Sequence, residues 1–263
     1  MTTIEVNGLP LEAKWFGDRA GAPTIVMLHE GLGSVATWRD FPDKLAAATG
    51  AKIFAYSRAG YGASPPVSLP RPVDYLHREA IDVLPGVLDA IGFERGVLLG
   101  HSDGASIATI YAGSIQDHRV RGLVLIEPHF FLEEINVAAI RQTASEYRTT
   151  KLRERLARYH KNVDNAFEGW REVWLNPDFA ALDLRPELAH IRVPVLLVKG
   201  EHDPYSTLAQ LQVAQEETYC PVEGVVIANA GHSPQRDQPE LTLDKITSFL
   251  DRLLNVHEDA APL

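Results

Sequence analysis

The sequence predicts one α/β domain: a mostly parallel, doubly wound sheet with a helical segment inserted between two of its strands. Three observations carry this reading. Short β-branched runs alternate with amphipathic stretches along most of the chain, the pattern of strands and covering helices. The runs are apolar on both faces, which suits strands buried between two helical layers. The alternation lapses once, between about residues 129 and 190. A length of 263 residues suits a single core of this kind.

The elements can be justified in order. Ile4 to Val6 and Leu11 to Phe16 flank Asn7-Gly8, a dipeptide that tolerates the positive φ of a tight hairpin turn. The strand-like runs that follow are Thr24 to Leu28, Lys52 to Tyr56, Gly96 to Leu99, Gly122 to Ile126, Pro194 to Val198 and Val225 to Ala228. Between them, Val73 to Gly92 carries Leu76, Ala80, Val83, Leu84, Val87, Leu88 and Ile91 near helical spacing, with Gly92 as its stop. Ala105 to Ile115 and Leu241 to Leu254 read as helices too. His257 to Leu263 read as a frayed tail.

The segment 129–190 shows only helical patterns. Leu152, Leu156 and Tyr159 form one row, and Ala166, Trp170 and Trp174 another. The expected organisation is a core of residues 1–128 and 191–263 with a lid or cap at 129–190. Such an insertion packs over the carboxyl ends of the strands, where open α/β sheets bind ligands. The alternative is a helical decoration away from any site.

Composition narrows the function. Apolar residues are 45% and charged residues 23% of the chain, which excludes a disordered, collagen-like or coiled-coil protein. Twenty-five Lys and Arg against 35 Asp and Glu give a net charge of −10, a poor match for nucleic acid. No apolar run reaches transmembrane length and the first residues lack a signal-peptide pattern, so no membrane association is expected and a cytoplasmic location is the default. Cys220 is the sole cysteine, so it cannot form an intrachain disulfide or a Cys-rich zinc site, and is expected as a small buried thiol. The sequence does not set the oligomeric state.

Gly100-His101-Ser102-Asp103-Gly104 is a G-x-S-x-G between a strand and a helix. That is the setting of a nucleophile elbow, where a tight turn exposes the serine hydroxyl at a helix N-terminus. A serine needs a base to take its proton. Of ten histidines, His232 lies just past the last strand and before the final helix, on the edge of the sheet that carries Ser102. His101 should point elsewhere, and His29 reads as a structural hydrogen-bonder. The histidine needs a carboxylate to fix its tautomer. Asp203, after the strand at 194–198, is favoured, and Glu127, at the end of the strand at 122–126, is the runner-up; Glu201 reads as a loop residue.

With these residues in view the chain resembles the α/β-hydrolase superfamily over nearly its whole length. The resemblance rests on Leu28 to Ser34, Arg58 to Ser64, Gly100 to Gly104, Gly200 to Asp203 and Ala230 to His232. It implies the α/β-hydrolase fold, and the order Ser102, Asp203, His232 is that superfamily's order. The Ser-Asp-Gly elbow is similar to that of valacyclovir-hydrolase-like esterases. The resemblance also implies an oxyanion hole from the backbone N–H of Asp103 and of Gly31, with Leu32 as fallback. The chain departs from the pattern at Glu30, where the family usually has glycine. We expect a cation, Arg58, to neutralise it; the alternatives are that it faces solvent, or that it joins Asp103 in attracting a substrate amino group.

The expected activity is that of a serine hydrolase of small carboxylic esters, lactones or thioesters, acting on a small-molecule substrate with no metal or cofactor. Carbon–carbon bond hydrolysis of ring-cleavage products uses the same triad and stays open, as does a non-catalytic ligand-binding role. Haloalkane dehalogenase and epoxide hydrolase chemistry is disfavoured, because the elbow nucleophile there is aspartate. Glu30, Phe130, Trp170 and Trp174 are candidates for the substrate pocket, with Phe131 beside them. Arg141, Arg148, Lys151, Arg153, Arg155, Arg158 and Lys161 outnumber Glu146 and Glu154. They read as a solvated face, with Glu154 supporting Arg158, in preference to a rim that draws in anions.

Overall fold

The computed structural model describes residues 2–17 and 19–254. The tail expected from His257 onward lies outside the described residues. The chain opens with the hairpin β1 (Thr2–Val6) and β2 (Leu9–Phe16), turned by Asn7 and Gly8, both at positive φ. Then follow β3 (Thr24–Leu28), α1 (Phe41–Thr49) and β4 (Lys52–Tyr56). The stretch expected as one helix is α2 (Tyr75–Arg78), a π turn (Glu79–Val83) and α3 (Leu84–Ala90). Pro85 explains the break: it has no N–H to donate, and its ring crowds the carbonyl of the preceding turn, so the backbone widens just before it.

β5 (Gly96–His101), α4 (Asp103–Ser114) and β6 (Val120–Ile126) complete the first half. Between β6 and the next strand lie α5 (Glu134–Thr149), α6 (Leu152–Leu156), α7 (Val163–Trp174), a short 3-10 helix (Pro177–Ala181) and α8 (Arg185–His190). β7 (Val195–Gly200), α9 (Ala209–Glu217), β8 (Val222–Ile227), α10 (Pro234–Asp237) and α11 (Pro239–Leu254) follow. The sequence pattern did not single out α1 and α9. Among the described residues, no helix is long and apolar enough to cross a membrane.

The eight strands form one sheet in the order β1-β2-β4-β3-β5-β6-β7-β8. β1, β2 and β4 pair antiparallel, and the remaining neighbours pair parallel. Alternate residues divide the core in two, as a pleated strand requires. Ile25, Met27, Val97, Leu99, Val124, Ile126, Leu196 and Val198 face one layer with Leu45 of α1 and Phe249 of α11. Val26, Leu28, Leu98, Leu123, Leu125 and Leu197 face the other, with α3, α4 and the segment between β6 and β7. β8 pairs on one side alone and is correspondingly more exposed.

The helices between β6 and β7 are stitched to the loops after β3 and β4. Gly62 N–H donates to His160 Nδ1 (3.0 Å), and His160 Nε2–H donates to the Leu32 carbonyl (2.9 Å). Asn165 bonds both the N–H and the carbonyl of Val67. Phe167 stacks on Tyr147 at 3.6 Å. Ala166, Trp170 and Trp174 are buried along α7, as their spacing indicated. The seven basic residues from Arg141 to Lys161 are exposed. Arg153 pairs with Asp164 in place of the expected Glu154–Arg158 contact. Cys220 is partly exposed, a correction to the buried thiol expected: it follows α9 at the surface, beyond the core layers.

Gly104 lets α4 pack directly on β3. A Cβ there would overlap the Leu28 carbonyl, a backbone group that cannot swing away. Gly104→Ala is therefore expected to destabilise by about 3 kcal/mol or more and to lower the melting temperature by on the order of 10 °C. Thermal unfolding followed by circular dichroism checks this; a variant that melts with the parent refutes the close approach.

Candidate active site

The carboxyl ends of β5, β6, β7 and β8 bring four loops together. Ser102 sits in the turn from β5 into α4 at φ 53° and ψ −117°, a strained conformation for a residue with a Cβ. Its N–H donates to the Ile126 carbonyl (2.8 Å), and its carbonyl accepts from the N–H groups of Ala105 and Ser106. A Cβ at Gly100 would collide with the backbone of Gly104 and Ala105, so the turn admits no bulkier residue.

His232 lies between β8 and α10. Ser102 Oγ–H donates to His232 Nε2 (3.0 Å), and His232 Nδ1–H donates to Asp203 Oδ1 (2.9 Å). One tautomer satisfies both contacts. Burial holds the imidazole below its ordinary pKa, with the Asp203 charge opposing the shift. The backbone carbonyl of His232 accepts from His101 Nε2–H (2.6 Å). His101 thus points away from Ser102, as expected, and steadies the loop that carries His232.

Asp203 is buried and fully engaged. Its Oδ1 also accepts from Tyr205 N–H (2.9 Å), and its Oδ2 accepts from Lys199 Nζ (2.9 Å) and Ser206 Oγ (2.6 Å). Burial alone would raise this carboxyl, but the charges of His232 and Lys199 outweigh it and hold the group well below the usual carboxylate range. Glu127 approaches from β6. Its Oε2 meets Lys199 Nζ at 2.5 Å and its Oε1 accepts from Gly200 N–H. Burial pushes Glu127 well above its ordinary value, Lys199 opposes this, and the Asp203 charge adds to it. Glu127 does not contact His232 in a hydrogen bond; it shares Lys199 with Asp203. Glu127, Asp203 and His232 approach one another as closely as ligands of a cation would. The Lys199 ammonium already serves as the cation against both carboxylates.

Next to Ser102, the N–H groups of Asp103 and Gly31 make no backbone hydrogen bond among the described residues. Asp103 opens α4, so its N–H belongs to the positive end of that helix. Gly31 is pressed against the Trp170 indole, which a Cβ would overlap. These groups can stabilise negative charge that develops beside Ser102.

Arg58 corrects the expectation for Glu30. Its guanidinium donates to the backbone carbonyls of His29 (2.6 Å) and Glu30 (3.0 Å) and lies 3.8 Å from Asp103 Oδ2. It therefore neutralises Asp103. Tyr75 Oη–H also donates to Asp103, and Trp174 Nε1–H donates to Tyr75 Oη (2.9 Å). The Asp103 carboxylate is fully buried: its Oδ2 is held in this network, and its Oδ1, beside Gly31, has no hydrogen-bond partner among the described residues. The Glu30 carboxylate instead lies 3.5 Å from His101 Nδ1. Burial would raise it, but the contact with His101 and the charge of Arg236 outweigh that and keep it ionised. His29 is structural, as expected: its Nε2 accepts from Arg58 N–H (3.1 Å).

A cavity of about 90 Å³ opens over Ser102 and His232. Glu30, Gly31 and Leu32 form one wall, and Ile140, Trp170 and Trp174 from α5 and α7 form another. Phe130, expected here, does not line it. Its ring is fully buried and its N–H donates to Gln210 Oε1 (2.8 Å), so it packs the base of the helical segment. The sequence had not singled out His129, Asn136 and Tyr205, which do line the cavity, or Lys199. For His129 and Lys199 a signal existed: both are polar residues at the carboxyl ends of apolar strands. Asn136 and Tyr205 carry no such mark.

Known proteins with this architecture are numerous. The chain is 25% identical over 247 residues to carboxylesterase YbfK of Bacillus subtilis, covering 87% of this chain and 80% of that one. It is 24% identical over 281 residues to epoxide hydrolase 3 of Xenopus tropicalis, covering 92% and 75%. Among solved structures, the enol-lactonase from Burkholderia xenovorans LB400 superposes with a TM-score of 0.72 at 22% identity, over 93% of this chain and 98% of that one. Residues 25–245, most of the sheet and the helices around it, match the alpha/beta hydrolase family, and the chain belongs to that family.

Proposed function

We propose that this hydrolase cleaves a small carboxylic ester, lactone or thioester through an acyl-enzyme on Ser102. The observation that carries the reading is the unbroken relay from Ser102 Oγ to His232 Nε2 (3.0 Å) and from His232 Nδ1 to Asp203 Oδ1 (2.9 Å). His232 takes the proton as Ser102 Oγ attacks the substrate carbonyl, and Asp203 stabilises the imidazolium that results. The carbonyl oxygen becomes anionic between the N–H groups of Gly31 and Asp103. His232 then gives its proton to the leaving oxygen or sulfur, and the acyl group stays on Ser102. Water enters, loses a proton to His232 and attacks the acyl carbon. The acid leaves as Ser102 Oγ recovers its proton.

A serine at the elbow and the similarity to carboxylesterase YbfK support an ester or its analogues as substrate. The small cavity, walled by Ile140, Trp170 and Trp174, suits a short, largely uncharged group. In this reading residues 129–190 act as a cap, since α5 and α7 supply that wall.

A fluorophosphonate probe is expected to label the protein at Ser102 and to leave Ser102→Ala unlabelled. A folded parent that resists labelling refutes the proposal. With a short-chain p-nitrophenyl ester, Asp203→Asn is expected to lower turnover by on the order of 10⁴-fold, whereas Glu127→Gln retains most of it. The reverse pattern makes Glu127 the acid.

The pH profile follows from the state His232 must hold. The base works when unprotonated, so kcat/KM falls as pH drops through its pKa. Burial places that pKa below 6.5, so the acid limb is expected below pH 6.5. A limb centred above that value contradicts the assignment.

Lys199 is the counter-charge for two buried carboxylates. Lys199→Met strands both, and is expected to cost about 3–5 kcal/mol in urea unfolding. Adding Glu127→Gln recovers part of the loss, because one of the stranded charges is then gone. Equal stability of the single and double variants speaks against a shared cation.

A further inference from the structure

The cavity over Ser102 is not uniformly apolar. Asn136 of α5 is 1% exposed, lines it, and has no hydrogen-bond partner for its Oδ1 among the described residues. His129, beyond the end of β6, is 2% exposed, lines the same cavity, and has an unpartnered Nδ1. Buried polar atoms are nearly always bonded, since leaving one unpaired costs the desolvation it suffered. Two other polar side chains of the wall are already bonded. Trp174 Nε1–H is given to Tyr75, and Tyr205 Oη is bonded to Thr143 Oγ1 (2.9 Å). Two residues that line one small cavity thus carry unspent polar atoms, which a ligand there can complete.

The chemistry of the two groups fixes the class of ligand. An asparagine amide offers an acceptor and donors and carries no charge. The His129 ring lies 5.7 Å from the His232 ring and 5.1 Å from the Trp174 ring, measured between centroids. Burial pushes its pKa down to about 3, and His232 pushes it the same way, so near neutral pH it offers one donor and one acceptor. Among the described residues no lysine or arginine lines the cavity, and Glu30 does. A carboxylate-bearing substrate would meet that charge without compensation, whereas a neutral hydroxyl or carbonyl can bond to Asn136 and His129.

We propose that Asn136 and His129 form a recognition site for an uncharged hydrogen-bonding group, a hydroxyl or a second carbonyl, carried by the substrate close to the bond that is cleaved. The inference rests on the ester-hydrolase reading and names the substrate class for that site. Water can meet these groups while the cavity is open, and the substrate's polar group replaces it. Leu32, Ile140, Trp170 and Trp174 make much of the remaining wall apolar, so a few polar contacts set the orientation.

The test compares matched esters. p-Nitrophenyl 3-hydroxybutyrate is set against p-nitrophenyl butyrate for the acyl side, and 2-hydroxyethyl butyrate against propyl butyrate for the alcohol side. Mono-p-nitrophenyl succinate serves as the anionic member. The parent is expected to prefer the hydroxylated ester of one pair by tenfold or more in kcat/KM, and to turn over the succinate ester more slowly than the butyrate. Asn136→Leu is expected to bring the preferred ratio to within threefold of unity, and His129→Phe to lower it. Asn136→Leu also removes an unpaired buried polar group, so its melting temperature should hold or rise. Equal turnover within both pairs by the parent overturns the recognition site while leaving ester hydrolysis standing. Failure to hydrolyse any of the esters, together with no fluorophosphonate labelling, overturns the ester-hydrolase reading itself. An Asn136→Leu variant that melts lower and keeps the ratio marks Asn136 as structural and ends the proposal.

Discussion

For His232 to stay oriented, a carboxylate must remain ionised where water scarcely reaches, and Lys199 is what permits it. The Asp203 side chain is 1% exposed, a setting in which an isolated carboxylate would take up a proton. The Lys199 ammonium at 2.9 Å and the His232 imidazole at 2.9 Å on the other oxygen offset that tendency. Ser206 Oγ and Tyr205 N–H fill the remaining lone pairs. Without this arrangement the imidazole would lose the partner that fixes its tautomer, and Ser102 would face a ring free to turn. The buried charges are thus a cost to the fold that the site requires.

The same dependence on buried partners recurs on the other side of Ser102. Asp103, adjacent in sequence, carries a second buried carboxylate, held by Arg58 and Tyr75. Arg58 also grips the carbonyls of His29 and Glu30, which positions the loop bearing Gly31. Trp174 of α7 bonds the same Tyr75 hydroxyl. One hydrogen-bonded cluster therefore joins the elbow, the loop after β3 and the helical segment that walls the cavity. The backbone strain at Ser102 persists because these surroundings, and glycines at 100 and 104, over-determine the turn.

Much of this was legible in the sequence, for physical reasons that differ by element. The strands at 24–28 and 52–56 are buried on both faces, so their apolar runs end where the strands end. The elbow announces itself through glycines that steric crowding demands. His232 and Asp203 could be chosen from many histidines and acids because each follows a strand, and parallel strands bring their carboxyl ends to one edge. α1 and α9 were missed because neither carries a long apolar stripe: α1 buries only Phe41, Pro42 and Leu45 at its start, and α9 buries Gln210 and Ala214. The bend ahead of Pro85 was missed because periodicity records the apolar stripe and overlooks a lost N–H.

The sequence by itself determined the sheet, the order of the chemical residues and the edge on which they gather, because strand pattern and turn chemistry are local properties of the chain. Only the tertiary structure decided which charges meet. Arg58 turned to Asp103 and left Glu30 to His101, Lys199 came between Glu127 and Asp203, and Phe130 went to the core while His129 and Asn136 reached the cavity. Those charge pairings join residues up to 72 positions apart. They depend on side-chain directions fixed by packing in three dimensions, which no spacing along the chain encodes.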